Sequence, residues 1–230
     1  MAKNRDEGTV TDPGKGSQTR EQIVTQALHI AAYKGLEALT IGTLAKKLKM
    51  SKSGLFLHFG SKENLEAAVV ERAGELFFSH VLLPAEEDGL EGIEQVWTLC
   101  DHWLDFVEKG ILPGGYFFTG AFFLCARQKG SIPRQIEQIT CKWLRALEEA
   151  VDAARRVGEI RTTVDARQTA FELNGLLLGA QCSYLMEHKD HMQARSVIVT
   201  KLGSLATDKV PASAFESLRA WRKYLEDRHQ

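Results

Sequence analysis

Apolar residues recur at intervals of three and four from Arg20 almost to the end of the chain, and that period predicts one helix after another. Ile23, Ala27, Ile30 and Ala31 form the first stripe, over residues 20–34. Gly35 follows, a residue suited to the left-handed position that closes a helix. Thr40 is a good N-cap for a helix over 41–48, with Leu39 and Leu44 at the two positions of a hydrophobic staple. Lys49, Met50 and Ser51 then make a short turn. The next helix covers 52–58, with Leu55, Phe56 and Phe59 as its apolar positions; Gly60 breaks it, and Ser61 caps a long helix running to about 82. Further helices are expected over 90–109, 115–128, 133–157, 165–188, 191–206 and 212–228. Pro84, Pro113, Pro133 and Pro211 fall at expected boundaries and Pro13 in the opening stretch, and no alternating run bounded by hairpin turns stands out. The chain therefore reads as all-α, with nine to ten helices.

Its organisation divides in three. Residues 1–18 carry Gly8, Pro13, Gly14 and Gly16 without periodicity and read as a flexible tail. Residues 19–65 hold two short helices joined by a three-residue turn and packed on a longer one, which is a helix-turn-helix. Residues 66–230 form a helical bundle. Charge sharpens the division. The 230 residues carry a formal net charge of −1, yet residues 1–62 sum to +5 and residues 63–230 to −6. Lys46, Lys47, Lys49, Lys52 and Lys62 cluster with no acid among them. Cations so placed suit the phosphates of a duplex, and the N-termini at Thr40 and Ser61 can turn backbone N–H groups toward them. Ser51, Ser53 and His58 are small or polar and lie on or beside the short second helix, which a major groove can admit. His58 either contacts phosphate or base there or serves as a structural aromatic edge.

The run Leu39-Thr40-Ile41-Gly42-Thr43-Leu44-Ala45, followed by Ser51-Lys52-Ser53-Gly54-Leu55-Phe56-Leu57-His58-Phe59-Gly60-Ser61-Lys62-Glu63-Asn64-Leu65, resembles the DNA-binding signature of the tetracycline-repressor (TetR) family. The resemblance covers about Arg20 to Leu65. It implies a homodimeric transcription factor, most often a repressor, that binds a palindromic operator in double-stranded DNA and is released by a small molecule. Carried over by position, Thr40 and Lys62 touch phosphate. Ser51, Lys52, Ser53, Gly54, Leu57 and His58 lie on or near the recognition helix, with Lys49 in the turn before it. Phe56 replaces the family's usual Tyr and lacks its hydroxyl. Gly42 sits where many members carry a longer, often basic residue.

The body offers two readings that are compatible, ligand sensing and dimerisation. Aromatic and soft residues concentrate in its middle, among them Trp97, Cys100, Trp103, Tyr116, Phe123 and Trp143. They either line a hydrophobic effector pocket or form ordinary core. Pro113-Gly114-Gly115 is either a gate to such a pocket or a loop. Leu173, Leu177, Ala180, Gln181 and Tyr184 are candidates for a dimer face, beside a Gly-x-x-x-Gly spacing at Gly175 and Gly179 that marks close backbone approach. The resemblance implies dimerisation through the last two large helices, here 165–188 and 191–206. The 212–228 helix is an addition.

Other chemistry finds less support. No nucleophile elbow, zinc-protease helix, P-loop or dinucleotide fingerprint occurs, so the chain does not read as an enzyme, and no cofactor is expected. Cys100, Cys125, Cys141 and Cys182 lack any C-x-x-C spacing, which argues against structural zinc; they are buried inert thiols or oxidant sensors. Asp101, His102 and Asp105 share helical spacing, as metal ligands or as a wet face. No apolar run is long enough for a membrane span, and the expected location is the cytoplasm. An alternative keeps the same DNA-binding fold but places it under a partner protein or cysteine oxidation instead of a small ligand.

Overall fold

The computed structural model describes residues 13–112, 117, 118, 120, 129–186, 192–211 and 214. Helix α1 (Pro13–Lys34) begins earlier than its apolar stripe. A proline at the first helical position has its φ preset and needs no hydrogen-bond partner, so the helix takes in residues expected to be tail. Ile23, Val24, Ala27, Leu28 and Ala31 are buried along it. Gly35, at φ 80°, closes the helix by donating to Ala31 O at 2.8 Å. A short 3-10 turn (Leu36–Ala38) leads to α2 (Ile41–Leu48) and α3 (Lys52–Phe59). Helix α4 (Lys62–Phe77) starts at the Ser61 cap, whose hydroxyl accepts from Asn64 N at 3.0 Å.

The long helix expected to end near residue 82 instead changes pitch. One π-helical turn (Phe78–Leu82) joins α4 to α5 (Leu83–Glu87). Pro84 has no N–H to give the carbonyl four residues back, and the wide turn absorbs that loss. Helix α6 (Gly92–Glu108), α7 (Ser131–Arg156), α8 (Ala166–Met186) and α9 (Met192–Leu205) build the body, close to their expected bounds. The expected helix 115–128 lies mostly outside the described residues, as do the Pro113-Gly114-Gly115 break, Cys125 and nearly all of 212–228.

Three ties hold the body together. Glu159, in the α7–α8 connection, reaches the start of α6, where its carboxylate accepts from Ile93 N at 2.8 Å. The approach requires Gly92: its φ is +64°, and a Cβ there would lie 2.0 Å from Glu159 Oε2. The same connection pairs with the end of α9, through Thr207 N to Glu159 O at 2.8 Å and Arg161 N to Leu205 O at 3.1 Å. Finally, Arg195 of α9, only 2% exposed, donates to three carboxylates of α6. They are Asp101 at 2.5 Å, and Asp105 and Glu108 at 2.7 Å each. A single apolar core runs from Leu44 and Leu55 in the head through Val69 and Phe77 to Leu147 and Leu177 in the body.

Helices α4 and α7 run side by side in the same direction. Ser131 Oγ donates to Glu63 Oε1 at 2.6 Å near the start of both. Further along, Gly74 lets Ile139 seat directly against the α4 backbone; a Cβ on Gly74 would meet Ile139 Cδ1 at 2.8 Å. Beyond that, the Lys142 ammonium lies 4.0 Å from the centre of the Phe78 ring.

Candidate nucleic-acid interface

The head is built around two capped helices of eight residues each. Thr40 caps α2: its hydroxyl accepts from Thr43 N at 3.1 Å, and the Thr43 hydroxyl answers toward Thr40 N at 3.4 Å. This reciprocal box occupies the Thr40 oxygen that the sequence assigns to phosphate. What the cap turns outward is the pair of first-turn amides, of Ile41 and Gly42, that no intrahelical carbonyl can accept. Leu39 and Leu44 on either side are fully buried, as a staple requires.

Lys49 ends α2 in the left-handed conformation, φ 54° and ψ 36°, with its N–H returned to Ala45 O and Lys46 O. Ser51 is the N-cap of α3, not a residue of the helix; its hydroxyl accepts from Gly54 N at 3.0 Å and lies 3.2 Å from Ser53 Oγ. Leu55 and Phe59 are buried and fix α3 on the head, with the Arg20 guanidinium 5.2 Å from the Phe59 ring centre. The opposite side of α3 presents Lys52, Ser53, Phe56 and Leu57 to the exterior, with Gly54 and His58 half-buried beside them. His58 packs tilted against Phe59, with ring centres 6.4 Å apart.

The small residue at Gly42 has a use that its sequence position does not reveal. The Lys52 side chain lies across it: a Cβ on Gly42 would meet Lys52 Cε at 3.6 Å and Nζ at 3.9 Å. The ammonium thus lies near the start of α2, whose first-turn amides have no intrahelical acceptor, an arrangement suited to a phosphate oxygen. Lys46, Lys47, Lys49 and Lys62 are also exposed on the head. Lys62 also reaches Glu66 on its own helix, 3.3 Å away, a surface pair weak enough to yield to a phosphate.

The body's expected sites are placed differently. Trp97, Cys100, Trp103 and Trp143 are buried, while Tyr116 and Phe123 lie outside the described residues. Phe77 of the long helix stands edge-on to Phe106, Phe118 and Trp143, with ring centres 5.5 to 5.8 Å apart. The Trp143 indole donates to Asn174 Oδ1 at 3.0 Å. These contacts set Trp143 among the buried aromatics of the body. An open groove of about 680 Å3 lies between α7 and the start of α8; Arg145, Glu148, Asp152, Arg155 and Arg167 line it, so it is charged and not apolar. Burial pushes the Cys100 thiol well above the ordinary thiol range and Asp101 adds to the effect, so this thiol stays protonated and unreactive. Cys141 is exposed and Cys182 half-buried.

The dimer candidates need correction. Leu173, Leu177 and Gln181 are buried inside the subunit itself, because their spacing is that of the α8 face packed on α6 and α7. Ala180 and Tyr184 are half-buried beside them. The outward face of α8 carries Phe171 at 72% exposure, Leu178 and Met186, with Gly175 and Gly179 open to the outside. Asp101 and Asp105 do not form a wet or metal-binding face: they hold Arg195, and burial raises the Asp101 carboxyl above its ordinary range against the opposing pull of that guanidinium. Among the described residues no cluster of His, Cys, Asp and Glu is placed to hold a metal ion, and no helix is long and apolar enough to cross a membrane. The Arg195 tie escaped the sequence reading. Its only signal was three acids spaced at one and two turns on α6.

Comparison with known proteins converges on this geometry. A family model described as "Bacterial regulatory proteins, tetR family" matches residues 23–69, and one described as "Tetracyclin repressor-like, C-terminal domain" matches residues 92–197. The nucleoid occlusion factor SlmA of Aliivibrio fischeri is 27% identical over 179 residues, 75% of this chain and 86% of that one. A TetR-family transcriptional regulator from Cytophaga hutchinsonii shares the fold with a TM-score of 0.71 at 16% identity, over 86% of this chain and 100% of the other. AibR, solved in complex with isovaleryl coenzyme A and operator DNA, shares it with a TM-score of 0.64 at 23% identity, over 81% of this chain and 97% of its own.

Proposed function

The chain belongs to the tetracycline-repressor family of DNA-binding transcriptional regulators, and from that premise we propose that it is a homodimeric repressor that leaves a palindromic operator when a small hydrophobic effector enters its body. The observation that carries this reading is the α2–turn–α3 unit, in which the Lys52 side chain lies over Gly42 at the start of α2 and Lys52, Ser53, Phe56 and Leu57 of α3 are exposed. Cations and amides of this kind position a protein on phosphates, and side chains on α3 are left to read bases. Lys46, Lys47, Lys49 and Lys62 extend the phosphate grip; Ser53 and His58 supply hydrogen-bonding groups at the groove.

A dimer is supported by the outward face of α8. Phe171 and Leu178, with Val197 of α9, expose apolar surface that a second copy would cover. Open glycines at Gly175 and Gly179 let two helices approach closely. Two copies must hold their α3 helices about 34–36 Å apart to meet successive turns of one groove.

Release needs a path from body to head, and α4 provides it. Its first residues belong to the DNA-binding unit and its last, Phe77, stands among the aromatics of the body. Helix α7 is keyed to it at Gly74 and again at Glu63. An effector that binds better when α7 is displaced would swing α4 and lower operator affinity by its differential binding energy. The AibR complex carries a coenzyme A thioester beside operator DNA, which supports a small-molecule effector for a chain of this fold. Trp97, Trp103 and Trp143 are the candidates to border its site.

One observation favours a second reading. A relative matched over three quarters of this chain carries the name of a nucleoid occlusion factor. That second reading is a DNA-binding protein of this fold regulated by a partner protein or by cysteine oxidation instead of a small ligand. Both readings are tested by selecting bound duplexes from a random library. The repressor reading expects an inverted repeat with half-site centres about one helical turn apart, or a multiple of it. Selection of unrelated sequences would refute it.

A further inference from the structure

Leu57 is 86% exposed and Phe56 51% exposed, side by side on a two-turn helix whose other apolar residues are buried. We infer that Leu57 is a specificity-determining residue that reads the C5-methyl of a thymine in each half-site, an inference that rests on the DNA-binding reading above.

Leu57 follows Ser53 by four residues and Gly54 by three, so the three share one ridge of α3. Gly54 has no side chain to shield Leu57; a Cβ there would meet only Ser51 Oγ, at 3.0 Å. The ridge therefore ends in an isobutyl group that stands free, with one hydroxyl, Ser53, a turn behind it. Hydrogen-bond readout along this ridge is limited to that hydroxyl. An apolar tip can still discriminate bases, because thymine alone among the four puts a methyl group in the major groove.

The surroundings select the partner. Lys46, Lys47, Lys49 and Lys52 are all exposed on α2, the turn and α3, the same short unit that carries the tip. A partner must offer apolar points inside an anionic rim. Duplex DNA does so wherever a thymine methyl lies between two phosphate backbones. Phe56 precedes Leu57 with its ring half exposed and adds a second apolar surface to the same helix.

The test replaces thymidine by deoxyuridine, one position at a time, in the duplex selected by the wild-type protein. This exchange deletes only the methyl group and keeps every base-pairing and groove hydrogen bond. One symmetry-related pair of positions should weaken binding by about fourfold per methyl, or about fifteenfold for both half-sites, from the burial of one CH2-sized group. Leu57→Ala should bind the thymidine and deoxyuridine duplexes within about twofold of each other, since the group that gains from the methyl is gone. Its thermal unfolding should match the wild type, because Leu57 supports no core. Sequence-preferring binding with no sensitive position would overturn the inference while leaving the regulator reading intact. Absence of sequence-preferring binding would overturn both. Co-flotation with anionic lipid vesicles that Leu57→Ala abolishes, together with a flat deoxyuridine scan, would assign the tip to a membrane surface and refute the thymine contact.

Discussion

Lys49 carries a cost to the fold that a role at the proposed DNA interface would account for. It is the described non-glycine residue with positive φ, at 54°, a conformation that costs an L-residue about 1–2 kcal/mol. Glycine would relieve that strain and give back part of the gain as unfolded-state entropy. Lys49→Gly should therefore stabilise the protein by about 0.5–1 kcal/mol, raising the melting temperature by about 2 °C. The same change should weaken binding to all duplexes alike and make the salt dependence shallower, by roughly one counterion per head. A variant that melts higher and binds DNA unchanged would remove Lys49 from the interface. Lys52 is the complementary case: its side chain lies over Gly42 at ordinary contact distance and carries its ammonium toward the start of α2 without any backbone strain of its own.

At the scale of elements, the short helices of the head were readable because their signals are local. Thr40, Ser51 and Ser61 each cap a helix by accepting an N–H three residues on, and such caps depend on a few adjacent residues. The body's ties were not readable, because each joins residues far apart in the chain. Glu159 meets α6 at Ile93, and Arg195 meets Asp101, Asp105 and Glu108. A stripe of acids looks like a solvated face until the guanidinium that crosses it is known. Helix α8 misled in the opposite direction: its most regular apolar stripe, through Leu173 and Leu177, is the one the subunit itself buries. The Glu159 tie makes a firm prediction. Gly92→Ala adds a Cβ at a φ of +64° and drives it into the Glu159 carboxylate. Strain and the lost charge-assisted bond together should cost about 2–4 kcal/mol. Thermal unfolding would show a drop of several degrees, and an unchanged midpoint would mean that the α7–α8 connection does not brace α6.

At the scale of the molecule, the head and body share one core, and the α4–α7 pair carries contact between them from Glu63 to Phe78. The proposed assembly turns on the outward face of α8. Phe171→Asp places a charge on a residue that is 72% exposed in the single subunit, so folding should be untouched. If that face joins two copies, light scattering should give twice the 25.7 kDa chain mass for the wild type and the single-chain mass for the variant. Operator affinity should fall with the loss of the second head, since both half-sites can no longer be held at once. A variant that stays at the wild-type mass would move the dimer contact elsewhere.

The central claim is that the basic edge of the head grips a specific duplex. Titrating the protein against the selected duplex and a scrambled one of equal length, at several salt concentrations, tests it most directly. The protein should show a clear preference for the selected duplex and an affinity falling linearly on logarithmic axes, with a slope on the order of −5 or steeper for two lysine-rimmed heads. Equal binding to both duplexes, or a slope near zero, would contradict it.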